Sequence, residues 1–99
     1  MKPKDFISLH GIGYFTANKG KTLTVRLLSD DGLVISGYYL GITPIGNELP
    51  LIDGLLIEIP QFNIHLLYTD PQDGRIVPVK FNLMLVDDMN DIKFIEEQK

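Results

Sequence analysis

Few side chains in this sequence have the types and spacing that catalysis or metal binding requires. His10 and His65 lie far apart in the chain, and neither stands in a motif with metal-ligand spacing. The chain has no cysteine, which excludes a thiol nucleophile and disulfide bonds. Ser8, Ser29 and Ser36 lack the flanking glycines of a nucleophile elbow. We therefore expect no enzymatic activity, no metal and no cofactor.

Carboxylates cluster in turn sequences. Asp30 with Asp31, and Asp70 with Asp73, could each act as paired carboxylates or bind a hard cation. However, Asp before Gly in a turn normally accepts local backbone hydrogen bonds, and no calcium-loop pattern with a terminal Glu is present. A Gly-Lys-Thr sequence at 20–22 lacks the upstream Gly of a phosphate-binding loop. Local turn roles are therefore favoured.

Aromatic and cationic residues give the more useful prediction. Tyr38 and Tyr39 are adjacent in a predicted strand, so their side chains should point to opposite faces. With the cations Lys19, Lys21 and Arg26, they could form a surface that stacks bases or binds an anionic ligand. We predict these five residues as the ligand-binding set. The alternative is that the tyrosine rings cover the core of a small barrel.

A hairpin over Thr22–Ile42 is the element that must position these residues. Polar and apolar residues alternate over Thr22–Leu27, which is typical of a half-buried strand. Ser29–Gly32 interrupts the pattern with Asp-Gly, a strong hairpin signal. Gly37 lies within the second strand, where glycine marks a bulge, a bend or a close approach by another backbone.

The hairpin resembles the first motif of the Sm/LSm-like small barrels. The matching positions are Val25, Leu27, Asp31, Gly32, Gly37 and Leu40. The resemblance implies a small barrel that binds RNA or single strands. The family's RNA-contact signature, an Asp followed closely by Asn, is absent, and Thr43–Pro44 stands near its expected place. The second family motif, with its Arg-Gly pair, is also absent, so the resemblance supports the barrel more than RNA binding.

The remaining segments continue a β-rich pattern. Further strands are predicted at Ile12–Thr16, Leu55–Ile59, Gln61–Thr69 and Arg75–Val86. Turns or loops are predicted at Ala17–Lys21, Thr43–Pro50 and Asp70–Gly74. Pro60 should end its strand or place it at a sheet edge.

The two ends of the chain are ambiguous. Pro3–His10 fits a short helix that ends at Gly11, and it also fits an edge strand. Residues 87–99 permit a closing strand, which we favour, or a short helix. We predict one all-β domain over residues 1–99, a strongly bent antiparallel sheet closing into a small Sm/SH3-like barrel. A two-layer sandwich is the alternative.

Composition narrows the functional classes. The net charge of −4 argues against a dedicated duplex-binding protein. No signal segment or membrane-length apolar run is present, so we expect a cytoplasmic protein without membrane contact. The first 26 residues carry five cations against one anion, and the C-terminal segment is acidic. The two ends are either solvated surfaces, or a basic patch that meets an anion, or surfaces that are complementary between subunits.

Several apolar residues fall opposite the predicted core face: Val34, Leu56, Leu67, Ile76 and Met84. Such residues usually mark a subunit or partner interface, so we predict a homo-oligomer. The alternative is that a terminal segment folds over that face. The resulting hypothesis is a non-enzymatic binding module that engages a protein partner or a small anionic ligand. By class analogy it would be an accessory or inhibitor protein, such as those of phages or mobile elements. The alternative is an Sm-like protein that binds RNA or single-stranded nucleic acid.

Overall fold

The computed structural model describes residues 1–28, 32–48, 51–56 and 59–96. Two short helices come first, α1 (Pro3–His10) and α2 (Gly13–Ala17). Seven strands follow: β1 (Thr22–Arg26), β2 (Val34–Glu48), β3 (Leu51–Ile52), β4 (Leu55–Leu56), β5 (Ile59–Thr69), β6 (Ile76–Asn82) and β7 (Ile92–Ile95). Single turns of 3₁₀ helix at Leu83–Leu85 and Met89–Asp91 connect β6 to β7. The small all-β class predicted from the sequence is therefore confirmed.

The five long strands form one antiparallel sheet in the order β6-β5-β2-β1-β7. β3 and β4 form a separate hairpin around Asp53 and Gly54, whose positive φ angles suit a tight Asp-Gly turn. Within the described residues β6 and β7 do not pair with each other. The sheet is therefore open, and the predicted closure into a barrel is corrected. The chain leaves β6 through two 3₁₀ turns, and β7 then pairs only with β1.

The central hairpin follows the predicted alternation. Leu23 and Val25 are buried, while the residues between them are partly exposed. β1 pairs with Val34–Tyr38 of β2 in regular register. Gly32 has a φ of 61°, as the Asp-Gly turn requires. The other turn residues, Ser29–Asp31, lie outside the described residues.

Gly37 allows β2 and β5 to approach closely. A β-carbon built there would collide with the carbonyl oxygen of Leu67 and would lie 2.8 Å from Cδ1 of Leu66. Of the bulge, the bend and the close backbone approach that the sequence allowed for Gly37, the close approach is observed.

β2 is longer than predicted, because Thr43–Glu48 continues the strand where a loop was expected. This segment pairs with β5 through register shifts at Tyr39/Gly41 and at Pro44/Gly46. Such bulges bend a strand without ending it. Beyond Tyr39, the described residues of β2 pair with β5 only. Pro44, which has no backbone N–H to donate, therefore lies where β2 has a partner strand on one side only. Pro60 likewise lies where β5 pairs only with β2.

The segment Gly13–Ala17 is helical, so the strand predicted at Ile12–Thr16 is wrong. The side-chain amide of Asn18 donates to the Tyr14 carbonyl at 2.7 Å, and Thr16 Oγ1 lies 3.2 Å from the Ile12 carbonyl. The Asn18 bond satisfies one of the last four carbonyls of the short helix, whereas the Ile12 carbonyl at its start also accepts the Thr16 backbone N–H. The helix directs Phe15 into the core, where it is fully buried. Tertiary packing therefore overrides the local strand preference.

β6 ends at Asn82, so the long strand predicted over Arg75–Val86 is too long. The Asn82 carboxamide oxygen accepts the Met84 backbone N–H at 2.9 Å, which caps the first 3₁₀ turn. As a result Leu83 and Val86 are buried while Leu85 is 44% exposed. A strand continuing to Val86 would have placed Leu83 and Leu85 on the same face.

The C-terminal strand β7 confirms the favoured interpretation of that segment. Before it, Asp88 accepts the Asn90 backbone N–H at 2.8 Å and pairs with the amino terminus of Met1 at 2.9 Å. These two bonds hold the pKa of the Asp88 carboxyl below its usual value. The N-terminal helix, for which an edge strand was the alternative, also begins with Pro3 and ends at Gly11 as the sequence predicts.

Candidate functional site

The two predicted tyrosines lie on opposite faces of the sheet. Tyr38 is 51% exposed and pairs with Thr22 on one side and Leu67 on the other. Tyr39 is completely buried in the core. We call the side of the sheet that carries Tyr39 the core face and the side that carries Tyr38 the outer face. Because its ring is inaccessible, Tyr39 does not contribute to a ligand-binding surface.

Tyr39 is nevertheless unusual in the core. Its ring packs against Phe94 with centroids 4.8 Å apart. Its hydroxyl is buried and has no hydrogen-bond partner among the described residues. Burial raises the pKa of the Tyr39 phenol well above its ordinary value. The Tyr39 phenol has a raised pKa and, within the described part of the chain, no neighbouring base and no room for a ligand beside it. It therefore contributes to packing, and we assign it no chemical role.

The turn before β1, which carries Lys19 and Lys21, lies beside Tyr38. A β-carbon built on Gly20 would lie 3.5 Å from the Tyr38 hydroxyl, and one on Gly41 would lie 2.6 Å from Cε of Lys19. The alkyl chain of Lys19 therefore covers Gly41. The Lys21 carbonyl accepts the Tyr39 backbone N–H at 3.0 Å, which fixes this turn to β2. Lys19, Lys21 and Tyr38 thus belong to one region.

Arg26 is separated from that region. It lies opposite Val34 at the far end of β1. Five residues of strand place it about 17 Å from Lys21. The predicted ligand-binding set of Tyr38, Tyr39, Lys19, Lys21 and Arg26 is therefore not one cluster in the structure.

The histidines and carboxylates have local roles. The His10 ring packs on Phe6 with centroids 4.8 Å apart, and His65 Nε2 lies 2.7 Å from Thr43 Oγ1. Asp70 and Asp73 accept backbone N–H groups two residues ahead, at 2.8 Å each, as predicted for turn residues. The described residues contain no group of three side chains that could hold a metal ion.

The outer face carries apolar residues from four of its five strands, with the polar Thr22 between Ile95 and Tyr38 and Ser36 between Val34 and Tyr38. Strand register places the pairs Ile95–Thr22, Thr22–Tyr38, Tyr38–Leu67 and Leu67–Pro78 in one row across all five strands. We define the outer apolar patch by six residues, Val34, Tyr38, Leu67, Ile76, Pro78 and Ile95. Val34, Ile76 and Ile95 are 50%, 63% and 55% exposed.

The patch contains three of the five apolar residues predicted to lie opposite the core, namely Val34, Leu67 and Ile76. Met84 lies instead in the first 3₁₀ turn, and the Leu56 side chain lies outside the described residues. Five strands at about 4.8 Å spacing make the patch about 19 Å wide, and four residues of strand make it about 13 Å long. Its area is of the order of 250 Å².

A second surface feature lies on the other side of the molecule. A groove of about 310 Å³ runs between the start of α1, the end of β1 and the segment that follows β6. Its walls are mostly apolar, including Pro3, Ile7, Phe62, Leu83 and Met84. Sequence analysis missed this groove, because its walls come from four separate segments that no local pattern connects.

Comparisons with known proteins add no assignment to these surfaces. No family model, no curated protein and no solved structure matches the chain. Among the described helices, α1 and α2 are the longest, and neither approaches the length or apolar content of a membrane span.

Proposed function

We propose that this protein is a non-enzymatic binding module that self-associates through the outer apolar patch and engages a protein partner or a small anionic ligand. The observation that carries this proposal is the group of neighbouring apolar residues Tyr38, Leu67, Pro78 and Ile76 on the outer face. Isolated exposed apolar residues are ordinary, but a contiguous apolar surface on a small protein usually marks an interface.

The size of the patch determines what kind of interface it would form. A stable protein interface buries roughly 800 Å² per partner, about three times the area of the patch. The patch would therefore supply the apolar part of the interface, and polar residues would complete it. Thr24 and Ser36 lie between patch residues, and His65, Lys80 and Lys93 flank them.

A charge placed in the patch tests this proposal. Ile76→Asp should abolish self-association, because the dimer would bury an unpaired carboxylate. Leu9→Asp is the matched control, since Leu9 lies on α1 with 66% exposure against 63% for Ile76. Sedimentation velocity over a range of concentrations would measure the association of each variant. A wild-type protein that stays monomeric, or equal effects of the two substitutions, would contradict the proposal.

A second candidate is binding of RNA or single-stranded nucleic acid, as the Sm-like resemblance implies. The specific observation in its favour is the exposed Tyr38 ring beside the turn that carries Lys19 and Lys21. Fluorescence anisotropy with a labelled oligonucleotide would test it. Salt-sensitive binding that is lost in Lys19→Glu with Lys21→Glu, and kept in Lys2→Glu with Lys4→Glu, would support this candidate. Binding that the two double variants weaken equally would reflect net charge alone.

A further inference from the structure

The groove beside α1 has the dimensions and lining of a small-molecule site. Ligand pockets are concave and mostly apolar, have volumes of roughly 300–1,000 Å³, and carry a few polar groups that orient the ligand. This groove has a volume of about 310 Å³. Its floor and walls include Leu28, Pro60, Phe62, Leu83 and Met84. Close packing is the rule in protein interiors, so an apolar groove of this size needs an explanation.

Local contacts hold the groove in shape without filling it. The Leu28 backbone N–H donates to the Leu85 carbonyl, which ties the end of β1 to the first 3₁₀ turn. Leu83 is 4% exposed and belongs to the core, so one wall is anchored from within. The pairing of Met1 with Asp88 fixes the chain that leads into α1. The cavity is therefore formed by elements that are fixed independently of any ligand.

The charges at the groove are uneven. Lys2, Lys4 and Asp87 line it, so cations exceed anions. The neighbouring Asp88 is occupied by the amino terminus. Within the described part of the chain, neither Lys2 nor Lys4 forms an ion pair. An apolar cavity bordered by two unpaired ammonium groups is complementary to a ligand with an apolar body and an anionic head.

We propose that this groove binds a medium-chain carboxylate, with its alkyl chain among Ile7, Phe62 and Met84 and its head at Lys2 and Lys4. A volume of 310 Å³ is about ten times the roughly 30 Å³ that one water occupies in the liquid. The groove therefore accommodates a chain of about eight carbons with its carboxylate. This inference rests on the small-ligand part of the proposed function and is independent of the outer apolar patch.

A chain-length series tests the apolar part of the site. Isothermal titration calorimetry with hexanoate, octanoate and decanoate should show affinity rising about fourfold per methylene up to about eight carbons. Beyond that length, additional methylenes should add little, because they project from the filled groove. Octanol, which has the same chain without the charge, should bind at least tenfold more weakly than octanoate.

Substitutions at the groove test the location. Ser8→Phe should abolish octanoate binding, because Ser8 is a lining residue on exposed helix surface and the ring would occupy the cavity. Lys2→Gln with Lys4→Gln should weaken octanoate about tenfold and leave octanol unchanged. The matched control is Lys80→Gln with Lys93→Gln, which removes the same charge from the outer face. Circular dichroism would establish that each variant is folded.

A further titration distinguishes ligand binding in the groove from self-association through the outer apolar patch. Repeating the octanoate titration with Ile76→Asp should leave the affinity unchanged, whether or not the protein self-associates. Octanoate binding that Ile76→Asp removes would overturn the groove assignment in favour of the outer face. Absence of octanoate binding, equal affinity for octanol, or equal loss in both lysine double variants would also overturn it. Loss of the dimer in Ser8→Phe would show that the groove mediates association. Its occupant would then be a second copy of the chain and not a small ligand.

Discussion

Tyr38 and Tyr39 are chemically identical neighbours in one strand, yet one is half exposed and the other is completely buried. The same contrast holds for the two faces of the sheet. The core face is covered by α2 and by the segment after β6, which contribute Phe15, Leu83 and Val86. The outer face has comparable apolar residues, but they remain exposed.

This difference shows that the strand pattern and the covering elements together decide which face becomes the core. β1 supplies apolar residues to the core face alone, whereas the other strands of the sheet supply them to both faces. Phe15 contacts the rings of Phe6, Tyr14 and Phe94, and this aromatic cluster holds α1 and α2 against the sheet. Among the described residues the outer apolar patch has no equivalent cover, which is why we assign it to association.

Truncation of the covering cluster should have the largest effect. Phe15→Ala should lower the free energy of unfolding by about 3–5 kcal/mol, because it opens a cavity beneath α2. Tyr38→Ala removes a ring of similar size from the outer face and should change stability by only about 0.5 kcal/mol. Urea denaturation at protein concentrations below any self-association would measure both. Equal losses would mean that the outer face is as well covered as the core.

Gly37 offers a second way to disturb the core face. Gly37→Ala should destabilise the protein by about 3 kcal/mol, because the added methyl would meet the rigid backbone of β5. Gly13→Ala is the matched control, since a β-carbon there meets nothing within 4 Å and alanine favours helix. Thermal denaturation followed by circular dichroism would compare the two variants. A tolerated Gly37→Ala would mean that β2 and β5 can separate at little cost.

Local patterns predicted most of this fold. Alternation identified β1, and turn chemistry identified the start of β2 and the turn at Asp70–Gly74. Proline and glycine indicated the bounds of α1, although an edge strand was an equal alternative there. These features depend on neighbours in sequence, so a single chain is enough to reveal them.

The errors share a different cause. The helix at Gly13–Ala17 depends on Phe15 finding the core, and the end of β6 depends on the Asn82 cap. The continuation of β2 through Pro44 depends on which strand lies alongside it. The groove depends on the packing of four separate segments against one another. Each is a non-local arrangement, which local periodicity does not encode.

The smallest expected difference in stability between the two faces concerns the buried phenol of Tyr39. Its hydroxyl has no partner among the described residues, so Tyr39→Phe should stabilise the protein by about 1 kcal/mol. The raised pKa of Tyr39 also predicts a pH effect. As pH rises above about 10, the ordinary tyrosine pKa, the unfolded chain loses this proton while the folded protein keeps it. Stability therefore falls with rising pH.

Tyr39→Phe should remove that part of the alkaline loss, whereas Tyr38→Phe should leave it intact because Tyr38 is exposed. Guanidinium denaturation at pH 8 and at pH 10.5 would compare each variant with the wild-type protein at both pH values. If Tyr39→Phe destabilised the protein instead, the Tyr39 hydroxyl must have a hydrogen-bond partner in the core. The contrast between the two tyrosines would then rest on exposure alone.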